Sequence, residues 1–202
     1  MRSRSFVFLM LLALVVQGCG GRLPYHQQRG SLPTGPICRV AVLPFSNESD
    51  YPVGDVVAYK VFVAEFNSSG RYLLAQEGDI LRMYQQLRIF PGQVPTTEQL
   101  AILGNRLGAQ LLITGRVTEM RENPAEASTV NPALALTLQL RDGRTGDPLW
   151  TTYHRREGTE YRKAMHFGTI HTVTGLAQQV AREVVQLWFK QGLTTCDVSP
   201  RL

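Results

Sequence analysis

The sequence predicts a single-domain α/β sandwich with a mixed sheet and the element order β-α-β-α-α-β-β-β-α. Three observations predict it: an apolar run typical of a strand buried on both faces, stretches with helical spacing, and one strictly alternating strand. The 202 residues are 44% hydrophobic and 18% charged, which is sufficient for one core and excludes a disordered chain or a dense disulfide scaffold. The longest apolar run, residues 6–16, is shorter than the roughly 20 residues of a spanning helix. A polytopic membrane protein is therefore excluded too.

The first part of the domain predicts a strand, a helix and a second strand, the succession of a right-handed parallel crossover. Residues 40–45 form the continuous apolar run, and residues 46–50 are a polar loop. Residues 53–67 carry apolar side chains at helical spacing, and Gly70 ends this helix. Residues 72–75 are the second strand.

The middle of the chain predicts two more helices and a third strand. Residues 79–87 form one helix. Thr96 and Thr97 cap the next helix, which Gly108 ends. A strand follows over residues 110–120.

The last part has the clearest alternation in the sequence. Leucines alternate with Ala, Thr, Gln and Arg over residues 134–141, which predicts a half-buried strand. Residues 142–146 have the composition of a turn, and residues 148–155 return as the hairpin partner. Residues 173–191 form a long helix with one apolar stripe.

The amino terminus has the features of a secretory signal peptide: Arg2 and Arg4 precede the apolar residues 6–16. The residues VQGC that end at Cys19 resemble a bacterial lipobox. This resemblance implies that residues 1–18 are a lipoprotein signal peptide, removed before an acylated Cys19. Two or more acyl chains hold a protein firmly on a membrane. The alternative is an ordinary signal peptide with an incidental cysteine.

The predicted domain boundaries follow from this interpretation. Residues 19–37 are the lipidated cysteine and a flexible tether, residues 38–193 are the α/β domain, and residues 194–202 are a tail. The tether is predicted because residues 20–36 contain four Gly and three Pro without an apolar period. Known lipoproteins with an Asp directly after the acylated cysteine stay in the inner membrane. Here that position is Gly20, so the similarity to lipoproteins implies the periplasmic side of the outer membrane.

The two other cysteines, Cys38 and Cys196, lie just before the first strand and just after the last helix. In an oxidising periplasm the expected state is a disulfide between the two ends of the domain. Two free thiols are the alternative. A metal site made from two cysteines alone is not expected.

Three segments carry a family resemblance: residues 40–49 (VAVLPFSNES), 107–117 (LGAQLLITGRV) and 138–150 (LQLRDGRTGDPLW). Together they look like the TolB amino-terminal-like superfamily over residues 38–191. That group includes the curli-secretion channel lipoprotein (CsgG) and an outer-membrane lipoprotein that activates a peptidoglycan synthase. The resemblance implies the α/β fold and, by analogy, self-association into a ring.

The channel function requires two long hairpins per subunit, each of about 20 residues or more. The corresponding windows here, residues 121–132 and 157–171, are shorter and lack alternation. The sequence therefore predicts a lipid-anchored periplasmic interaction module, an accessory factor in cell-envelope assembly or export. The alternatives are a subunit of a curli-type secretion channel and an activator of a peptidoglycan synthase.

The sequence predicts neither an enzyme nor a cofactor, because it has no nucleophile elbow and no phosphate-binding glycine loop. Ser46, Ser49 and Asp50 follow the first strand, where α/β folds often bind ligands, but no companion base is evident. The four histidines lack the spacing of a metal site. They are His26, His154, His166 and His171.

A basic cluster surrounds Glu157 and Glu160. It either contacts an acidic partner or anionic lipid headgroups, or it is a solvated loop with internal ion pairs. Nucleic acid is not expected as a partner, because the formal charge of +5 falls to +3 once Arg2 and Arg4 are removed (5 − 2 = 3) and export separates the chain from the cytoplasm. The cluster consists of Arg155, Arg156, Arg162 and Lys163.

Overall fold

One mixed β-sheet with helices packed against it forms the fold. The computed structural model describes residues 23–122, 131–163, 165 and 167–196. The helices in these ranges are α1 (Gly54–Ser68), α2 (Glu77–Gln86), α3 (Thr97–Leu107) and α4 (Val173–Lys190), and a 3₁₀ helix spans Gly158–Tyr161. The strands are β1 (Tyr25–Gln28), β2 (Arg39–Val42), β3 (Ser46–Asn47), β4 (Leu73–Leu74), β5 (Leu111–Arg121), β6 (Ala133–Asp142) and β7 (Pro148–Glu157).

The sheet has the strand order β1-β7-β6-β5-β2-β4, and β3 pairs with β5 beside this path. β2 is parallel to β4 and β5, and β3 is also parallel to β5. The pairs β5–β6, β6–β7 and β7–β1 are antiparallel. The parallel pairs arise because α1, and then α2 with α3, carry the chain back to the end of the sheet where it started. These findings confirm the predicted α/β class with one mixed sheet.

Helices α1 and α4 cover one face of the sheet. Phe62 of α1 and Trp188 of α4 are fully buried there. Burying a side chain of this kind stabilises a fold by roughly 1.5–3 kcal/mol. The leucines predicted to alternate in β6 all point into this core, and they are Leu134, Leu136, Leu138 and Leu140.

Helices α2 and α3 form a second core on the opposite face, above β2. The alternate residues of this strand divide between the two cores: Val40 and Val42 contribute to the first, whereas Ala41 and Leu43 contribute to the second. Because β2 is buried on both faces, its sequence has the unbroken apolar run from which the strand was predicted.

The ends of α3 agree with the sequence prediction. The Thr96 hydroxyl accepts a hydrogen bond from the Gln99 amide, and the Gln99 side chain accepts one from the Thr96 amide, which completes a capping box. Gly108 ends the helix in the left-handed conformation, at φ 61°. Within the described ranges, the structure contains no helix whose length and apolar character would suit a membrane span.

The structure differs from the prediction before residue 38. Residues 25–28 of the predicted flexible tether form β1, which pairs antiparallel with β7 at the edge of the sheet. The sequence YHQQ has no apolar alternation, so the pattern gave no strand signal. The strand forms because the exposed edge of β7 offers backbone partners, and because His26 packs edge-on against Trp150 with ring centroids 5.1 Å apart. The ordered domain therefore begins before the predicted boundary at residue 38.

Candidate functional site

Among the described residues, no helix covers the sheet face opposite α1 and α4 over β6, β7, β1 and the part of β5 beyond Leu112. The register places Tyr25 opposite Tyr153, Tyr153 opposite Thr137, and Thr137 opposite Arg116. Tyr25 is 66% exposed and Tyr153 is 40% exposed. We call this surface the open sheet face, and it consists of Tyr25, Gln27, Arg116, Glu119, Arg121, Thr137, Gln139, Thr151, Tyr153, Arg155 and Glu157.

Arg155 lies on the open sheet face within a group of ion pairs. Its Nε is 2.7 Å from a Glu119 oxygen, and its Nη2 is 2.9 Å from Glu157. Arg121 contacts the same two carboxylates, at 3.2 Å and 3.6 Å. Hydrogen bonds to Glu119 and Glu157 raise the pKa of Arg155, and the bond from Arg155 lowers the pKa of Glu157. The Arg155 side chain is therefore fixed by ion pairs with carboxylates of β5 and β7.

Arg156 points to the other side of the sheet, as the next residue of a strand must. It is buried, and it bonds to Glu160 at 2.8 Å and to Glu183 of α4 at 3.2 Å. Nε2 of the buried His154 lies 2.5 Å from the same Glu183 carboxylate. Burial opposes ionisation of Glu183, but hydrogen bonds from His154, Gln179 and Arg156 outweigh it and lower the pKa of Glu183 to about 2.

The predicted basic cluster is thus divided by the structure. Arg155 and Arg156 lie on opposite sheet faces, and each is paired with glutamates. Arg162 and Lys163 are exposed after the 3₁₀ helix, and neither has an ion pair among the described residues. The interpretation of the cluster as internal ion pairs therefore applies to Arg155 and Arg156.

The structure brings Cys38 and Cys196 together. Their sulfur atoms are 2.05 Å apart and their Cα atoms 4.7 Å apart. Cys19, the predicted acylation site, lies outside the described residues, and so does residue 166.

Two of the histidines, His26 and His154, take part in the packing of the sheet. A ring nitrogen of His26 lies 2.9 Å from the Thr152 hydroxyl, and His171 is exposed before α4. Among the described residues, no group of three or more His, Cys, Asp and Glu side chains is suited to hold a metal ion.

Hydrogen bonds between its own residues fix the shape of the polar loop after β2. The Asn47 side chain accepts from the Ser49 hydroxyl at 2.6 Å and donates to the Tyr51 carbonyl at 2.7 Å. Ser46 is buried in β3, and Asp50 is exposed. The geometry of this loop is that of a turn rather than of a nucleophile beside a base.

A groove of about 600 Å³, which the sequence did not predict, lies between α1 and α2 beyond the end of β2. Its volume is in the range of roughly 300–1,000 Å³ that is typical of ligand sites. Three of its apolar residues remain exposed: Val56 at 52%, Leu81 at 45% and Phe90 at 70%. The other lining residues are Pro44, Phe45, Asp55, Tyr59, Lys60, Glu77, Tyr84, Gln85, Arg88, Ile89, Pro91, Gly92 and Gln93.

One residue at the groove, Tyr84, has a buried hydroxyl without a partner among the described residues. Tyr84 is 6% exposed, and its hydroxyl makes no hydrogen bond among the described residues. Burial raises the pKa of Tyr84, and it raises the pKa of Tyr59 to about 12. Lys60 is hydrogen-bonded to Glu77 at the side of the groove. Tyr84 lies in α2, which the sequence predicted, but only the folded chain brings this residue to the groove.

Comparison with known proteins shows a shared fold. No protein-family model matches the chain, and no curated protein sequence matches it. The chain is similar to the PelC dodecamer from Paraburkholderia phytofirmans, with 16% identity, a TM-score of 0.53, and coverage of 81% of this chain and 95% of that one. It is also similar to the lipoprotein GNA1162 from Neisseria meningitidis, with 17% identity, a TM-score of 0.51, and coverage of 76% and 99%. The C-terminal domain of LpoB from Salmonella enterica has 16% identity, a TM-score of 0.48, and coverage of 62% and 87%.

The chain therefore has a single-domain mixed α/β fold that is also found in the lipoprotein GNA1162 from Neisseria meningitidis. At these identities the similarity establishes the fold alone. Because no family model matches, membership of the TolB amino-terminal-like superfamily stays a prediction.

Proposed function

We propose that this protein is a lipid-anchored interaction module on the periplasmic side of the outer membrane. It acts as an accessory factor in cell-envelope assembly or export, without enzyme activity. The lipobox-like sequence at Cys19 supports the anchor. The shared fold of a protein described as a lipoprotein, GNA1162, agrees with this assignment.

The open sheet face is the observation that carries the proposal. It presents Tyr25 and Tyr153 side by side, with Arg116 in the same row. Tyrosine and arginine are enriched at protein interfaces because they combine a large contact area with hydrogen-bonding groups. The ion-paired group around Arg155 lies on the same face and gives the surface a fixed polar pattern.

Of the two alternatives, the secretion channel has the weaker support. The described part of the second predicted window runs from the end of β7 into the 3₁₀ helix Gly158–Tyr161. A helical turn at this position gives no support to a membrane strand there. The activator of a peptidoglycan synthase remains a proposal that rests on the sequence resemblance.

Self-association is a second property to test, because PelC, which shares the fold, is a dodecamer in its solved structure. A ring would have many times the mass of one chain, which is about 22.5 kDa for all 202 residues before removal of the signal peptide. Mass photometry of the purified protein would distinguish a ring from a monomer.

Photo-crosslinking in intact cells tests the interaction surface. We would place a photoreactive amino acid at Tyr153 on the open sheet face and, in a control variant, at the exposed Gln186 of α4. We expect an adduct with a second envelope protein, or with a second copy of the chain, from position 153 and not from position 186. Equal adducts from both positions, or none from position 153, would contradict the proposal.

The membrane anchor is tested by Cys19→Ala. We expect the variant to leave the membrane fraction and to appear in the soluble periplasmic fraction, because no acyl chain can be attached. Membrane retention of the variant at the wild-type level would show that acylation of Cys19 is not the anchor.

A further inference from the structure

We propose that one end of the domain docks directly on an anionic phospholipid surface, in addition to the acyl chains of Cys19. The contact is made by a surface that we call the anchor-side surface, and it consists of Leu23, Arg162, Lys163, Met165 and Phe167. The inference rests on the proposed function, because acylated Cys19 is what brings this end to the bilayer. It adds a second, non-covalent contact between the protein and the lipid.

The first argument is the place at which the chain toward Cys19 leaves the fold. β1 is antiparallel to β7, with Tyr25 opposite Tyr153. The chain before Tyr25 therefore runs toward the end of β7, where Glu157 leads into the 3₁₀ helix Gly158–Tyr161. Arg162 follows this helix directly. An anchor on Cys19 thus attaches the domain to the bilayer at the end that carries the anchor-side surface.

The second argument is the exposure of apolar side chains at this end. Leu23 is 84% exposed, Met165 is 82% exposed and Phe167 is 76% exposed, the three highest values among the large apolar residues that the structure describes. Exposed apolar side chains are ordinary when scattered. At the end that faces a bilayer, however, they match the way in which interfacial proteins bury leucine and aromatic side chains beneath the headgroups. Contact with lipid would remove this apolar surface from water.

The position of Phe167 is fixed by backbone contacts. The Lys163 amide donates a hydrogen bond to the Phe167 carbonyl at 2.8 Å. Gly168 has a positive φ of 88°, and a Cβ built on it would lie 2.6 Å from the Tyr161 carbonyl oxygen. The chain thus turns back tightly after Phe167, which leaves its ring at the surface without a change of fold.

The third argument is charge. Arg162 and Lys163 are exposed, and neither has an ion pair among the described residues. Glu157 and Glu160, the carboxylates that precede them in the sequence, are already paired with the arginines of β7. Two positive charges next to exposed apolar side chains complement the phosphates of an anionic bilayer. An acidic protein would match the charges alone, whereas lipid also matches the apolar side chains and the position of the anchor.

Tryptophan quenching by brominated lipids tests the contact. The mature chain, residues 19–202, is coupled through the Cys19 thiol to a maleimide lipid in vesicles of phosphatidylethanolamine and phosphatidylglycerol, since the other two cysteines are paired. We expect lipids brominated in their acyl chains to quench Phe167→Trp more than the wild type, whose two tryptophans are buried. Ile102→Trp, at an exposed position of α3, should be quenched no more than the wild type.

A charge reversal assigns the contact to the anchor-side surface. Arg162→Glu/Lys163→Glu, made together with Phe167→Trp, should return the quenching to the wild-type level. The control is Arg106→Glu/Arg144→Glu, which changes the net charge equally at exposed residues near the opposite end of the sheet and should preserve the quenching. Replacing phosphatidylglycerol with phosphatidylcholine should weaken the contact as the first reversal does.

Two results would overturn the proposal. One is quenching of Phe167→Trp no greater than that of Ile102→Trp, which would leave this end of the domain available to a protein partner. The other is an equal loss of quenching in both double variants, because the contact would then depend on net charge alone. Chemical coupling makes the experiment independent of acylation in cells, and fractionation of Cys19→Ala tests the anchor separately. The two proposals can therefore fail independently.

Discussion

At the scale of single residues, Glu183 links a helix to the sheet. It extends from α4 to the buried side chains of His154 and Arg156 on β7, so one carboxylate joins the helix to the sheet. Charged groups that are taken out of water stabilise a fold only when they are paired and hydrogen-bonded. The three residues therefore depend on one another.

Replacing Glu183 with glutamine should lower the free energy of unfolding by about 3 kcal/mol, because Arg156 and His154 stay buried without their carboxylate. Urea denaturation at neutral pH measures the change. The control is Glu98→Gln, at an exposed residue without an ion pair among the described residues, which should change stability by less than about 0.5 kcal/mol. Equal effects of the two substitutions would contradict the role given to Glu183.

The same residue predicts a pH dependence. The pKa of Glu183 is about 2 in the folded protein, against a reference value of 4.5. A lowered pKa means that the carboxylate contributes stability above pH 4.5, and that this contribution is lost as the pH falls from 4.5 toward 2. The difference corresponds to about 3 kcal/mol. The stability gap between wild type and Glu183→Gln should therefore shrink between pH 6.5 and pH 3, and a constant gap would contradict the assignment.

At the scale of elements, the contact between α3 and the turn from β6 to β7 depends on glycine. A Cβ built on Gly104 would lie 1.8 Å from the Gly143 carbonyl oxygen. The sequence predicted both the helix and the turn. The sequence could not predict that α3 and the turn touch, because this contact depends on the distance at which α3 packs against the sheet.

Gly104→Ala should destabilise the fold by roughly 3 kcal/mol, since the helix and the turn must move apart. Gly78→Ala is the matched control: Gly78 lies in α2 with nothing within 4 Å of a built Cβ. That substitution should stabilise the fold by about 0.5 kcal/mol, because alanine is the better helix former. Thermal unfolding of the two variants checks both signs, and a tolerated Gly104→Ala would show that the helix is free to shift.

The elements that the sequence predicted are those with an apolar pattern of their own. β2 has its continuous run, β6 has its alternating leucines, and α4 has its stripe. β1 and β3 were missed because their residues are polar and each strand is short. Such strands form because a neighbouring strand offers an unpaired edge. The residues that create this edge lie elsewhere in the chain, so the local sequence of β1 or β3 does not predict the pairing.

The candidate surfaces were predictable to different degrees. The polar half of the β6 alternation indicated a face away from the core, which is the open sheet face. The groove was not predictable, because its walls come from the end of β2, from α1 and from the segment after α2. Adjacent basic residues in the sequence suggested one patch, but strand alternation sent Arg155 and Arg156 to opposite sides.

At the scale of the whole molecule, the pairing of Cys38 with Cys196 closes a loop with a sequence separation of 158 residues. A cross-link over this length removes entropy from the unfolded chain that is equivalent to about 5 kcal/mol at most. We expect a reducing agent to lower the midpoint of urea unfolding of the wild type. The double variant Cys38→Ser/Cys196→Ser should unfold at the reduced midpoint and should not respond to the reducing agent. An unchanged wild type under reduction would show that the thiols are free.

Strand β1 has a consequence for how the molecule would stand on a bilayer. With residues 25–28 fixed to the sheet edge, only five residues separate Cys19 from the first strand. Fully stretched, that stretch reaches about 20 Å, whereas a tether extending to residue 37 would reach about three times as far. With Cys19 acylated as proposed, so short a tether would hold the β1–β7 edge close to the lipid headgroups. Any partner of the domain would then also have to come close to the membrane.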